Sequence, residues 1–248
     1  MGELMIWKFH GLLALGLIMS LSVQASLTAE QELELNQTIS KVEVKEIPSK
    51  AFTDKEIFAL QEAFSTQKMV MDQVNPLDQA GKVITMGKDL VALGESVYQL
   101  VIKGKPTNTT KYAPISVIPK VGTEPVDIFE TENWKMPVKK TFEVTYTNIY
   151  GIKVIKFRYS VIFSYGGTYN GKGAYLTAAQ VIPEYADTMF GFDFTATMKL
   201  GGIQNQGKRD NPIAGATLLM EYSAQSVMKV ITRVDTFFIT GRGGFKKY

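Results

Sequence analysis

Three carboxylates crowd one short segment in the middle of the chain, at Asp127, Glu130 and Glu132. Paired carboxylates cleave glycosidic bonds without histidine, because one serves as acid and the other as base or nucleophile. The same oxygens are also ligands for Ca²⁺. Acidic residues in a loop are usually solvated, and this spacing does not fix the distance between the carboxyl groups. The sequence therefore favours a solvated loop over either a glycan hydrolase or a calcium site.

The side chains on which most other enzymes depend, His and Cys, are nearly absent from this sequence. The chain has no Cys, and its one His, His10, lies in a segment that has the pattern of a signal peptide. Imidazole and thiolate groups are the common proton shuttles, soft metal ligands and nucleophiles near neutral pH. The sequence therefore predicts a non-catalytic protein, with no cofactor and no metal site.

A glycine-rich segment approximates a phosphate-binding loop, with Gly166, Gly171 and Lys172 at suggestive positions. Gly173 stands where such a loop has Ser or Thr, and the segment joins two predicted strands instead of opening a helix. These two departures favour a hairpin turn.

Tyrosines bracket this turn at Tyr165, Tyr169 and Tyr175, and Arg209 lies in the other long loop. Exposed Tyr beside Asn and Gly is typical of surfaces that stack on sugars or grip a protein partner. These four residues are therefore the candidate partner-binding residues. The competing interpretation, which we favour, places Tyr165 and Tyr175 in the core and leaves only Tyr169 exposed.

Residues 1–25 have the pattern of a secretory signal peptide, with Lys8 before an apolar stretch and a small-residue cleavage pattern at Val23, Gln24 and Ala25. An exported chain without Cys fits the periplasm or surface of a Gram-negative bacterium. The net charge is +3 with both signs interspersed, which disfavours nucleic acid as a partner.

Residues 26–104 are predicted to form an N-terminal segment with a short strand and two helices. Val42 and Val44 alternate with charged residues, which indicates a strand. Thr53 and Glu56 have the spacing of a capping box, and Ile57 and Leu60 then begin an apolar helical face.

The second helix is predicted over residues 76–103, since apolar residues recur at helical spacing from Pro76 onward. Its candidate interface is Gly87, Leu90, Gly94 and Val97, where two glycines in a helix interior suggest that another backbone passes close by. The wide apolar face has three alternative uses: packing on its own domain, an oligomer seam, or insertion at a membrane interface.

From residue 105 to 248 the apolar period becomes two, which predicts antiparallel strands with one wet face. The fold class is therefore mainly β (α+β), with an N-terminal helical segment followed by an antiparallel β-sandwich or a strongly curved sheet. The predicted strands centre on 142–147, 155–165, 175–182, 190–198, 216–223 and 227–240. Predicted turns lie at Gly151, Gly166–Gly173, Pro183 and Gly201–Pro212.

These patterns together predict an exported cell-envelope protein that binds a protein or glycan partner, or assembles as a homo-oligomer, through its strand-connecting loops. A helix before a Cys-free, Tyr-bearing sandwich is similar in outline to actinoporin-type pore formers. The first alternative is a membrane-active protein that acts on a membrane surface by inserting helix 76–103, or the Thr-rich strands, into lipid. A carboxylate-dependent glycan hydrolase is the second alternative.

Overall fold

The computed structural model describes residues 28–61, 85–94, 97–103, 105–107, 114–122 and 124–248. Most of these residues belong to two antiparallel sheets packed as a sandwich, which confirms the predicted fold class. The predicted signal peptide lies outside the described residues.

The strands are numbered in chain order. One sheet, sheet A, contains β1 (Ile39–Ile47), β2 (Thr85–Met86), β3 (Leu90–Leu93), β6 (Ile115–Val121), β7 (Glu124–Pro125), β8 (Val138–Asn148), β9 (Lys153–Tyr169) and β10 (Lys172–Thr188). The other, sheet B, contains β4 (Val97–Lys103), β5 (Lys105–Thr107), β11 (Asp193–Asn205), β12 (Ala214–Gln225), β13 (Val230–Thr240) and β14 (Phe245–Lys247). Sheet A has the order β1-β8-β9-β10-β6-β3-β2, with β7 paired to β6, and sheet B has the order β14-β13-β12-β11-β4-β5.

The core lies between the two sheets. Phe157, Tyr159, Val161 and Phe163 alternate along β9 and are all buried, as their period of two predicts. Aromatic pairs bridge the sheets: Phe142 and Phe237 have ring centroids 5.0 Å apart, and Phe157 and Phe194 have the same separation. Such pairs add about 0.5–1.5 kcal/mol beyond the area they bury.

Two helices accompany the sheets. Helix α1 (Ala29–Asn36) begins with a capping box at Thr28 and Gln31 that the sequence analysis did not identify, because the helix has few apolar residues. Helix α2 includes residues 54–61 and confirms the predicted capping box, since the Thr53 amide donates to Glu56 Oε2 at 2.8 Å. Its Leu60 packs on the outer face of sheet A.

The predicted helix over 76–103 is wrong in its described part, which contains β2, β3 and β4. Residues 76–84, 95 and 96 lie outside the described residues. All four residues of β3 are buried, so this strand has no wet face that would reveal a period of two. An apolar run buried on both sides fits a helix and a strand equally well. Leu90 therefore lies in β3 and Val97 begins β4, each in a different sheet.

The predicted turn at Pro183 is also wrong, because Pro183 lies within β10 opposite Tyr159. The register shifts immediately after this pair, and such a bulge accommodates a residue that lacks an N–H group. Gly201 likewise lies inside β11, whose strand ends only at Asn205.

The segment before residue 105 contributes to both sheets. Strand β1 pairs with β8 and β3 pairs with β6 in sheet A, whereas β4 pairs with β11 in sheet B. The predicted boundary at 104/105 thus falls between β4 and β5, two strands that pair with each other.

Several glycines leave room for an aromatic ring. A Cβ added to Gly167 would lie 2.3 Å from Cζ2 of Trp134, and one added to Gly215 would lie 2.7 Å from Cζ of Phe238. The rings therefore lie over bare backbone, an arrangement that protects strand glycines from solvent.

The two glycines singled out in the sequence have different surroundings. Gly94 has a φ of +125°, and a Cβ there would lie 2.4 Å from the backbone oxygen of Pro114. Gly87 is exposed, and its added Cβ would meet only Leu90 O, at 3.5 Å. Of these two glycines, only Gly94 lies close to a backbone segment that is distant in the sequence.

We expect Gly94→Ala to destabilise the protein by about 2 kcal/mol or more, because both its φ and the Pro114 carbonyl exclude a side chain. Gly87→Ala is the matched control and should change stability by no more than about 0.5 kcal/mol. The urea unfolding midpoints of the two variants measure this difference. Equal midpoints would contradict the close approach at Gly94.

Candidate functional site

The Gly-rich segment forms a tight hairpin between β9 and β10, with Asn170 and Gly171 at its tip. Both have positive φ, +51° and +70°, which is typical of the type I′ turn that Asn-Gly favours. The hairpin interpretation is therefore confirmed, and Lys172 pairs with Tyr169 at the start of β10.

The three candidate tyrosines serve mainly as packing groups. Tyr175 is 3% exposed, and burial raises the pKa of its hydroxyl to about 12. Tyr165 and Tyr169 are half-buried against the core. A Cβ on Gly243 would lie 2.7 Å from the ring of Tyr165, so this ring also covers a glycine.

The loop that carries Arg209 lies beside the same hairpin, since the Ala174 amide donates to Pro212 O at 2.9 Å. The Arg209 side chain is 89% exposed, and its Nε lies 3.7 Å from Asp89 Oδ1. The structure thus brings Arg209 to the end of the sandwich where the three tyrosines lie. It does not gather the four residues into one exposed surface, because Tyr175 is buried.

The three candidate carboxylates have local roles. Asp127 caps a short 3-10 helix (Ile128–Glu130) by accepting a hydrogen bond from Phe129 N at 2.9 Å. Glu130 is exposed on that helix, and the backbone of Glu132 pairs with Thr168. Within the described ranges, no three His, Cys, Asp or Glu side chains are grouped so that they could hold a metal ion.

A buried ion pair that sequence reasoning missed lies under helix α2. Lys139 Nζ is 2.6 Å from Glu56 Oε1 and 3.4 Å from Glu184 Oε1, and the side chains of Lys139 and Glu56 are only 5% and 3% exposed. Ser160 donates to Glu184 at 2.5 Å. Because Lys139 belongs to β8 and Glu56 to α2, this ion pair fixes the helix to sheet A.

Burial of Glu56 by itself would raise its pKa, but hydrogen bonds from Lys139 and Thr53 outweigh that effect and lower the pKa overall. A carboxyl group whose pKa is lowered by folding stabilises the folded state above its ordinary pKa of about 4.3. That contribution is lost as the pH falls through the lowered folded-state value.

We therefore expect Glu56→Gln to cost about 2–3 kcal/mol at neutral pH, because Lys139 stays buried with only Glu184 to pair it. The difference from the unaltered protein should shrink as the pH is lowered below about 4. Urea midpoints of both proteins across this pH range provide the measurement. Glu43→Gln, which removes the exposed partner of Lys41, should have little effect at any pH.

A second buried polar cluster joins the two sheets. Tyr159 of β9 and Tyr222 of β12 both donate to Asp235 Oδ2 at 2.9 Å, and Lys247 lies 3.0 Å from Asp235 Oδ1. Burial, followed by the charge of Asp235, raises the pKa of both hydroxyls well above the usual range. The tyrosines therefore remain neutral donors, and the cluster serves to align the sheets.

A group of exposed apolar residues lies at the opposite end of the sandwich from the hairpin. Three turns meet there: β8–β9, β10–β11 and β12–β13. We define the turn-end surface as the exposed large apolar residues of these turns, which are Ile149, Tyr150, Ile152, Met189, Phe190, Val227 and Met228. Phe190 is 99% exposed.

Backbone contacts hold the three turns side by side. Met189 N donates to Val154 O at 2.8 Å, which joins the β10–β11 turn to the start of β9. Asp193 pairs with Gln225, which places the same turn beside the β12–β13 turn. The seven side chains therefore share one end of the molecule.

Polar side chains fix the shapes of two of these turns. Asn148 Oδ1 accepts hydrogen bonds from Tyr150 N and Ile152 N, at 3.1 and 2.9 Å. Ser226 Oγ accepts from Met228 N and Lys229 N, at 3.3 and 3.2 Å. The exposed apolar side chains thus project from ordered turns.

This surface was not expected from the sequence, because Phe190 and Val227 lie in segments that were predicted to be strands. The observed strands begin later, at Asp193 and Val230. A usable signal was present, since Gly151 and Gly191 mark turns that carry Tyr150 and Phe190 beside them.

Charged residues of both signs surround the turn-end surface. Lys153 and Lys229 are exposed beside it, as is Asp187. The acidic helix α1 lies next to the β8–β9 turn, because Asn148 Nδ2 donates to Asn36 O at 2.9 Å. The rim is therefore mixed in charge.

Comparison with protein-family models, curated proteins and solved structures gives no match to this chain. Of the helices in the described part of the chain, none combines the length and the apolar character that a membrane span requires.

Proposed function

We propose that this protein is an exported, non-catalytic protein of the cell envelope that binds a protein partner through its turn-end surface. One observation carries the proposal: seven large apolar side chains are exposed together on three adjacent turns. Large contiguous apolar patches on an otherwise soluble domain usually mark an interaction site.

The composition of the surface favours a protein over a glycan as partner. Phe, Tyr and Met, all present here, are enriched in protein interfaces, whereas charged residues are depleted from the centre of such interfaces and lie at the rim. The mixed charges of Lys153, Lys229 and Asp187 suit such a rim.

The fixed conformation of the turns also supports binding. Because Asn148 and Ser226 already hold the backbone of two turns, little conformational entropy is lost when a partner docks. Phe190, the most exposed of the seven side chains, is the natural anchor for a pocket on the partner.

The proposal that the protein is not an enzyme is supported by its side-chain chemistry. It contains no Cys and only His10, and the buried Lys139 and Asp235 are both engaged in ion pairs. Export is supported by the sequence pattern of residues 1–25 alone.

A membrane-active protein is the second candidate, favoured by the aromatic residues Tyr150 and Phe190 at one end of the molecule. Aromatic side chains are common at the lipid–water interface. A surface that binds anionic lipid usually has a uniformly basic rim, however, and the rim here also contains Asp187 and the acidic helix α1.

Photo-crosslinking in the producing cell tests the proposal. A photoreactive phenylalanine analogue at position 190 should give a protein adduct of defined mass, several-fold more abundant than the adducts from position 129. Phe129 is the matched control, because it is also exposed, at 65%, but lies outside the three turns. Combining the analogue with Tyr150→Asp should abolish the adduct.

Adducts with lipid alone, together with leakage of phosphatidylglycerol vesicles that Phe190→Asp prevents, would replace the proposal with membrane activity. Equal yields of protein adduct from positions 190 and 129 would contradict it. Circular dichroism of each variant shows that the sheets remain intact.

A further inference from the structure

Among the described residues, half of strand β13 has no neighbouring strand along one edge. Strand β14 pairs only with Phe237–Ile239, and Tyr248 N extends this pairing by donating to Thr236 O at 3.0 Å. Within the described residues, no strand continues along Val230–Val234. Their backbone is bonded to β12 on one side only.

The direction of the free backbone groups follows from the paired half. Thr236 O and Thr240 N both point to the β14 side, where they bond Tyr248 N and Gly244 O. Backbone groups of a strand alternate in direction, so those of Val230, Thr232 and Val234 point to the same side, beyond the end of β14. These three residues present a row of donors and acceptors ready to pair.

On the outer face of this edge the side chains are exposed and uncharged, whereas Arg233 on the other face is exposed and charged. Val230 is 57% exposed and Val234 is 53% exposed, with Thr232 exposed between them on the same face. The edge strand of sheet A is different, because β1 carries exposed Lys41 and Lys45 with Glu43 between them. Charged residues, Lys above all, are the usual protection of an edge strand against pairing, and β13 lacks this protection at Val230 and Val234.

We propose that the free edge of β13 pairs antiparallel with the same edge of a second copy of this chain, with the two-fold axis at Thr232. In this register Thr232 lies opposite its own copy and Val230 lies opposite Val234. Thr–Thr and β-branched pairs on one face stabilise neighbouring strands. The same register places Lys229 opposite Asp235 and Ile231 opposite Arg233, so no like charges face each other.

Neighbouring registers are disfavoured by charge. Moving the axis to Ile231 places Lys229 opposite Arg233, and moving it to Arg233 places that side chain opposite its own copy. Like charges directly opposite each other destabilise paired strands. The register centred on Thr232 is the one of these three that avoids such a pair, which is why a second copy is a specific fit to this edge.

Disulfide trapping of the full chain tests the register. Thr232→Cys introduces a single thiol, because the chain has no Cys. Residues opposite each other in a hydrogen-bonded antiparallel pair have Cα atoms about 5.5 Å apart, within the range of a disulfide. Mild oxidation should therefore convert most of this variant to a covalent dimer, and should leave the control Val121→Cys, at an exposed end of β6, largely monomeric.

Sedimentation velocity tests the association without a covalent bond. The unaltered protein should dimerise with increasing concentration, and Val234→Lys should weaken the dimer at least tenfold, whereas Val121→Lys should not. A protein that stays monomeric at all concentrations, or a dimer that Val234→Lys leaves unchanged, would overturn the proposal. Phe190→Asp should not affect dimerisation, so this result is separate from the test of the turn-end surface.

Discussion

The apolar contact between the two sheets is the constraint on which the rest of this structure depends. Phe142 and Phe157 on sheet A meet Phe237 and Phe194 on sheet B at ring separations of 5.0 Å. The chain has no disulfide to support the fold, so this core is its main source of stability. The strands that flank the core are therefore held in fixed register, and the turns that connect them emerge at fixed positions.

Buried polar groups fix how the two sheets, and helix α2, are positioned relative to one another. Asp235 accepts hydrogen bonds from Tyr159 and Tyr222, which belong to different sheets, so it links the sheets at one lateral position. On the outer face, the Glu56–Lys139 ion pair fixes helix α2 to sheet A. Breaking such buried polar contacts is costly, because each leaves an unpaired group away from water.

The sequence predicted the parts of the fold whose two faces differ. Strand β11 alternates between buried apolar residues, such as Phe194, and half-buried polar residues, such as Thr195. The capping box at Thr53 marks the start of α2. The sequence did not predict strand β3, because Leu90–Leu93 are buried on both faces and this apolar run has no period that distinguishes a strand from a helix. The turn-end surface was missed because Phe190 and Val227 were placed inside predicted strands instead of turns. The Glu56–Lys139 pair joins residues far apart in the chain, which no local pattern reveals.

The glycines that lie under aromatic rings have a consequence for how this chain can change over time. The ring of Trp134 fills the space that a side chain at position 167 would need, and the ring of Phe238 does the same at position 215. Neither member of a couple can be exchanged alone: a larger residue at 167 would displace the indole, and a smaller one at 134 would leave bare backbone facing water. Related chains should therefore vary at these positions in a concerted manner, or keep both residues, and such correlated variation would identify distant relatives whose remaining residues have diverged.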